Sequence, residues 1–207
     1  MRFQFAVAGA IVASLAMGTN RSAAIELSPA VAHLYSSVEI HPPTATRMTI
    51  CYGFVCRLRY ILDFTPGDRR ALTDLLNKGK ASPEAERKAV QSAVQWLDRR
   101  MGPILGTTKR LARADFRHRD DDHNYDCYDT TRNAVSLLVV LREWGLLRHH
   151  TISDPEYRGR WLVGQTPHNT AVLKDRKTGA EWVVDLWTRA YGELPEVMPV
   201  AKWLKED

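Results

Sequence analysis

The chain is expected to fold in the α+β class, with a cysteine-bearing helix packed on an antiparallel β-sheet. Three observations carry this. From about Thr130 the apolar residues Ala134, Leu137, Leu138, Leu141 and Trp144 recur at three- and four-residue spacing, the period of a helix. Two earlier stretches, opened by Thr65-Pro66 and Ser82-Pro83, begin with helix-start signals and carry further apolar spacing. Between residues 161 and 187, two β-rich runs are joined by Asp175-Arg-Lys-Thr-Gly179, a turn of hairpin length.

Taken in order, the chain starts with Met1-Arg-Phe-Gln, an apolar run from Phe5 to Gly18, and the small residues Ser22-Ala23-Ala24. This is the layout of a signal peptide over residues 1–24; a retained N-terminal anchor is the alternative. The run is short for a spanning helix and no later segment reaches membrane length, so no stable membrane span is expected after cleavage. The protein is therefore read as periplasmic or secreted. Residues 25–207 make one domain whose N-terminal part is helical. The full chain carries 29 Lys+Arg against 24 Asp+Glu, and residues 1–24 hold only Arg2 and Arg21 of these, leaving +3. The basic residues are dispersed, which argues against a nucleic-acid partner.

Residues 25–48, interrupted by Pro29, Pro42 and Pro43, read as an irregular segment on the body of the domain. Met48 to Leu62 reads as a strand or hairpin around Cys51-Tyr-Gly-Phe-Val-Cys56, where Gly53 permits a tight turn and an oxidising compartment favours a small-loop disulfide. Asp68 to Asn77 is a helix ended by Gly79. The next helix presents Ala85, Ala89, Val90, Ala93 and Leu97 with Trp96 beside them, and Gly102-Pro103 is expected to stop it. His118-Arg-Asp-Asp-Asp-His123 has metal-ligand residue types without the glycine and terminal glutamate of a calcium loop or a fixed His-x-x-x-His spacing, so it reads as a solvated loop. His149-His150 receives the same reading. Asp154-Pro155 and Gly159 mark a loop, and Ala201-Lys-Trp-Leu a short docked helix.

With Cys51 and Cys56 paired, Cys127 is left over, and an unpaired cysteine in an exported protein is a candidate nucleophile. It lies where a polar loop opens the long helix, with Asp126 or Asp129 available as cap and Gly145 as the left-handed residue that closes it. The helix dipole at that position favours thiolate over thiol. In the hairpin, setting Lys174 opposite Ala180 brings His168 and Asn169 opposite Leu186 and Asp185, so His168 and Asp185 become neighbours. A carboxylate beside an imidazole fixes its tautomer and stabilises its charged form. Each residue also has a plain structural role open to it: a small buried thiol, a histidine satisfying backbone, an aspartate capping a turn.

The motifs Tyr125-Asp-Cys-Tyr-Asp129, His168-Asn-Thr-Ala-Val172 and Val183-Val-Asp-Leu-Trp187 resemble, in that order, the transglutaminase-like cysteine hydrolase superfamily, whose fold is a circularly permuted relative of papain. More loosely, the whole chain resembles a group of exported bacterial proteins with the same blocks. The resemblance spans about residues 124 to 188 and implies Cys127 as nucleophile, His168 as general base and acid, and Asp185 as orienter. Where bacterial members usually carry a small residue at the cysteine's approach, this chain has Tyr125-Asp126, a departure that bears on substrate access.

The implied chemistry is thiolate attack on a peptide or amide carbonyl, with the thioester released by water or an amine. It requires no metal or organic cofactor. The Cys127 N–H is the natural oxyanion donor, with Tyr125, Asn124 and Gln165 as candidates for a second. The partner expected is a peptide or protein substrate, with cell-envelope peptides first by location. The competing reading is a catalytically inactive binding or assembly module, whose Trp161, Trp182, Trp187 and Trp203 either line a peptide groove or form core.

Overall fold

The chain is built around helix α4 (Cys127–Glu143), which carries six fully buried apolar side chains, Val135, Leu137, Leu138, Val139, Val140 and Leu141. The computed structural model describes residues 25–160, 162 and 164–206; the signal peptide read over residues 1–24 and Trp161 lie outside the described residues. The class is α+β, with helices and two antiparallel sheets. Each buried Val or Leu contributes about 1.5–3 kcal/mol of transfer free energy. A helix buried all round is central, so α4 is not the one-sided amphipathic helix of its apolar spacing.

On one side α4 packs against the hairpin of β1 (Arg47–Tyr52) and β2 (Leu58–Asp63). On the other it meets a four-stranded sheet ordered β3 (His150–Arg158), β4 (His168–Asp175), β5 (Glu181–Asp185) and β6 (Glu196–Pro199). The β4–β5 hairpin forms about the expected turn. β3 occupies the stretch read as a loop. It accommodates Asp154-Pro155 by a register shift between Ser153 and Glu156, a bulge that tolerates a residue without a backbone donor.

The expected disulfide joins Cys51 and Cys56. Between them the backbone does something no short pattern announces. Gly53, Phe54, Val55 and Cys56 all have positive φ, from 51° to 72°, making a left-handed turn. Its amides point at α4. Phe54 and Cys56 donate to the Asp129 carboxylate at 2.9 and 2.6 Å, and Val55 donates to Asp126 at 2.8 Å. The Asn133 amide brackets the Cys51 peptide groups from the next turn, accepting at 2.8 Å and donating at 2.8 Å. The disulfide loop thus clamps the first two turns of the cysteine helix.

Two further departures have identifiable causes. Residues 29–36 form helix α1 (Pro29–Ser36), because Ser28 caps it and Pro29 takes the first position, where its missing N–H costs nothing. Helix α2 (Pro66–Asn77) starts as expected, with a Thr65/Asp68 capping box. Helix α3 (Pro83–Leu105) runs through Gly102-Pro103 and ends at Gly106. The Arg99 carbonyl that Pro103 leaves without its helical partner accepts the Tyr191 hydroxyl at 3.3 Å. A Cβ on Gly102 would lie 2.2 Å from that same tyrosine ring, so the glycine makes room for the residue that compensates the proline. Helix α5 (Val200–Trp203) is the short C-terminal helix expected, and it buries Trp203 completely.

Candidate active site

Cys127 is the first residue of α4 because Asp126 caps the helix, accepting the Asp129 N–H at 2.7 Å. The thiol is buried, with 7% of the residue exposed, and the backbone N–H of Asn169 beside its sulfur favours the anion. The Asn169 carbonyl accepts the Thr131 hydroxyl at 3.0 Å, so the backbone of one β4 residue meets both the first and second turns of α4. Burial pushes the Cys127 thiol up to about 12, and the charges of Asp126 and Asp185 add to the shift. This corrects the expectation of a resting thiolate. The helix-end donors that would favour the anion already face the Asp126 carboxylate, and desolvation outweighs what remains. Burial likewise raises Asp126 and Asp129, where the charge of Asp126 adds to the effect on Asp129.

The β4–β5 ladder pairs Lys174 with Glu181 and Ala171 with Val184, one residue out of the expected register. Continued outward, it sets Thr170 opposite Asp185, which makes His168 the diagonal neighbour on the same face. The pair forms nonetheless: His168 Nε2 lies 2.6 Å from Asp185 Oδ2, both residues buried. A carboxylate at that distance requires the proton on Nε2, which leaves the lone pair on Nδ1. Nδ1 is buried and has no hydrogen-bond partner among the described residues. Cys127 and His168 are therefore neighbours through Asn169 without being hydrogen-bonded to one another.

Asp185 is held from three sides. Besides His168 it accepts the Trp203 indole N–H at 3.0 Å and the Trp187 backbone N–H at 3.1 Å. The Trp187 and Trp203 rings lie 4.4 and 5.3 Å from the imidazole, centroid to centroid. These two tryptophans are thus packing and orienting groups around His168, while Trp182 stacks under the Arg87 guanidinium elsewhere. Neither Trp203 nor the Asn169 peptide was identifiable as part of the site from sequence: one reaches it from the chain's far end, the other through its backbone.

The three residues considered as second oxyanion donor are placed as follows. The Tyr125 hydroxyl is buried against Thr107, and Asn124 bridges the Leu111 amide and Asp121. Gln165 lines a cleft of about 640 Å³ whose wall includes His168 and Trp187. Gly159, at the same cleft, has φ 80° and would place a Cβ 2.1 Å from the Thr166 carbonyl oxygen; only a bare α-carbon lets these two loop ends approach.

The polar run at 118–123 is organised by its own pairings, with Asp121 accepting from His123 and Asn124, and Asp122 paired with Arg57. No group of three or more metal-ligating residues is found among the described residues. His150 departs from the solvated reading. It is fully buried, its Nδ1 is 2.9 Å from Glu86 Oε1, and its Nε2 is 3.2 Å from the Arg87 guanidinium. Glu86 also accepts the amides of Arg148, His149 and His150, so a single carboxylate ties α3 to the start of β3.

The chain matches no protein-family model, no curated protein and no solved structure. The site's chemistry is therefore read from its own groups. They are a neutral thiol, an imidazole with a free Nδ1 lone pair, and a carboxylate fixed by three donors.

Proposed function

We propose that the protein is an exported cysteine-dependent hydrolase or acyltransferase acting on peptide or amide bonds through Cys127, His168 and Asp185, with a transglutaminase-like arrangement of the three. The observation that carries this is the buried His168–Asp185 pair at 2.6 Å with Nδ1 unpartnered, one residue along β4 from the amide beside the Cys127 sulfur.

Because the resting thiol is neutral, the proton moves when substrate arrives. Cys127 Sγ gives its proton to His168 Nδ1 as the S–C bond forms on the carbonyl, and Asp185 offsets the charge on the imidazolium. The oxyanion lies at the Cys127 N–H. Collapse breaks the C–N bond, and the leaving amine takes the proton from Nδ1. Water or an amine then releases the acyl group from sulfur. The chemistry calls for no metal or organic cofactor. The Cys51–Cys56 disulfide is compatible with an exported location, as is the leader read over residues 1–24. No helix among the described residues is long and apolar enough to cross a membrane.

A second reading, a transglutaminase-like binding or assembly module without activity, is favoured by the burial and high pKa of the same thiol. An activated acyl ester separates the two. Incubated at neutral pH, the enzyme acylates at Cys127, detected on the tryptic peptide by mass spectrometry, and His168→Ala slows this by about 10²-fold or more. Acylation equal in both proteins, or none in either, supports the module.

A further inference from the structure

We propose that the cleft beside His168 is a carboxylate-recognising subsite, so that the substrate is a peptide carrying a carboxylate next to the bond attacked; the inference deepens the proposed function and rests on it. Arg158 is paired directly with His168 across the β3–β4 ladder, which puts guanidinium and imidazole on one face of the sheet. It stands half-buried over the Trp203 ring, 4.2 Å from the ring centroid, and donates to the Trp203 carbonyl. Desolvation lowers its affinity for its proton; the charges of Asp185, Glu206 and Glu196 offset part of this, and the positive charge of Arg113 works against them. Two guanidiniums thus line the same cleft.

Their compensation is incomplete. Neither Arg113 nor Arg158 forms a salt bridge among the described residues, whereas Arg117 at the cleft rim is taken up by Asp115 in a bidentate pair. The nearby Glu206 is drawn instead toward Lys202, 3.7 Å away. Arg113 is moreover held in place by an unusual backbone. Its φ is 54°, in the left-handed region that few non-glycine residues occupy, and its N–H is fixed on the Trp187 carbonyl at 2.7 Å. That contact ties Arg113 to a wall of the cleft. Strain kept beside a candidate base, with two cations that line an open cleft outside any salt bridge among the described residues, is the arrangement an anionic ligand completes. The Trp187 and Leu204 surfaces of the cleft suit the aliphatic part of a peptide better than a bare inorganic anion.

The test uses the Cys127→Ala protein, so binding is read without chemistry, with indole N–H resonances followed by NMR. Four probes are titrated: acetyl-Ala-Glu, acetyl-Ala-Gln, and the C-terminal amide of each. Side-chain and C-terminal carboxylates are thereby scored separately. The carboxylate-bearing probes bind about tenfold tighter than the neutral acetyl-Ala-Gln amide, the preference falls with added salt, Arg113→Gln removes most of it and Arg113→Lys restores part. Equal affinity across the four probes, no saturable binding, or a preference indifferent to Arg113→Gln and Arg158→Gln overturns the proposal. Since the thiol is absent throughout, any of these results leaves the assignment of Cys127 and His168 to be judged separately by acylation.

Discussion

Asp185 stands opposite Thr170 in the extended β4–β5 ladder, yet its Oδ2 lies 2.6 Å from His168 Nε2, a diagonal partner that the pleat places on the same face. The diagonal works because Asp185 is not free to turn elsewhere. The Trp187 amide and the Trp203 indole hold it from two other directions, and the imidazole takes what remains.

Trp203→Phe is accordingly expected to matter beyond packing. It keeps an aromatic ring at that position but removes the donor to Asp185 together with part of the indole's buried volume. A loss of about 1–2 kcal/mol in urea denaturation is expected, together with a drop in the acylation rate of Cys127. Unchanged acylation would mean that the indole N–H has no part in orienting the pair.

The disulfide clamp makes a second prediction. Replacing both Cys51 and Cys56 by Ser costs about 2 kcal/mol for a loop of this size. It also frees four residues from left-handed conformations that Phe54, Val55 and Cys56 do not favour. With those amides gone from Asp126 and Asp129, the first turn of α4 loosens, and Cys127 reacts faster with iodoacetamide than in the oxidised protein. Alkylation at the wild-type rate would show that the clamp does not govern access. In the oxidised protein, one free thiol is expected.

Glu86 supplies a control remote from the site. It is buried, accepts three backbone amides and contacts His150; these hydrogen bonds outweigh desolvation and hold its carboxyl below the ordinary value of 4.5. A carboxyl with a lowered folded-state pKa stabilises the protein above the unfolded value, and that contribution is lost as pH falls from about 4.5 through the folded value. Glu86→Ala is expected to cost about 3 kcal/mol at neutral pH and less in acid. Below the folded-state value the cost falls because the wild type has lost the same interaction. The same cost at every pH would contradict this account.

How much of this was readable beforehand differs by level. The helix starts at Thr65 and Ser82, the Asp175–Gly179 turn and the pairing of Cys51 with Cys56 are local chemistry and stand as read, and of the two caps open to the cysteine helix Asp126 is the one used. The proximity of His168 to Asp185 was also legible, because a one-residue error in a hairpin register still leaves a diagonal neighbour. What failed depended on distant partners. Pro103 does not end α3 because Tyr191, far along the chain, satisfies the carbonyl it frees. His150 is buried because Glu86 awaits it. The Cys127 thiol is neutral because tertiary burial exceeds the effect of a helix end, a balance that spacing along a sequence does not contain.

The pH dependence of Cys127 acylation by an activated ester, measured beside the ultraviolet absorbance of its thiolate, tests the central claim most directly. The thiolate absorbance should appear only well above the ordinary cysteine value of 9.0, since burial raises the thiol to about 12. Acylation should instead already proceed at neutral pH, far below that titration, because His168 takes the thiol proton as the bond forms, and His168→Ala should abolish this. An acylation rate that follows the alkaline thiolate titration in both proteins would contradict the assignment of His168 as the base.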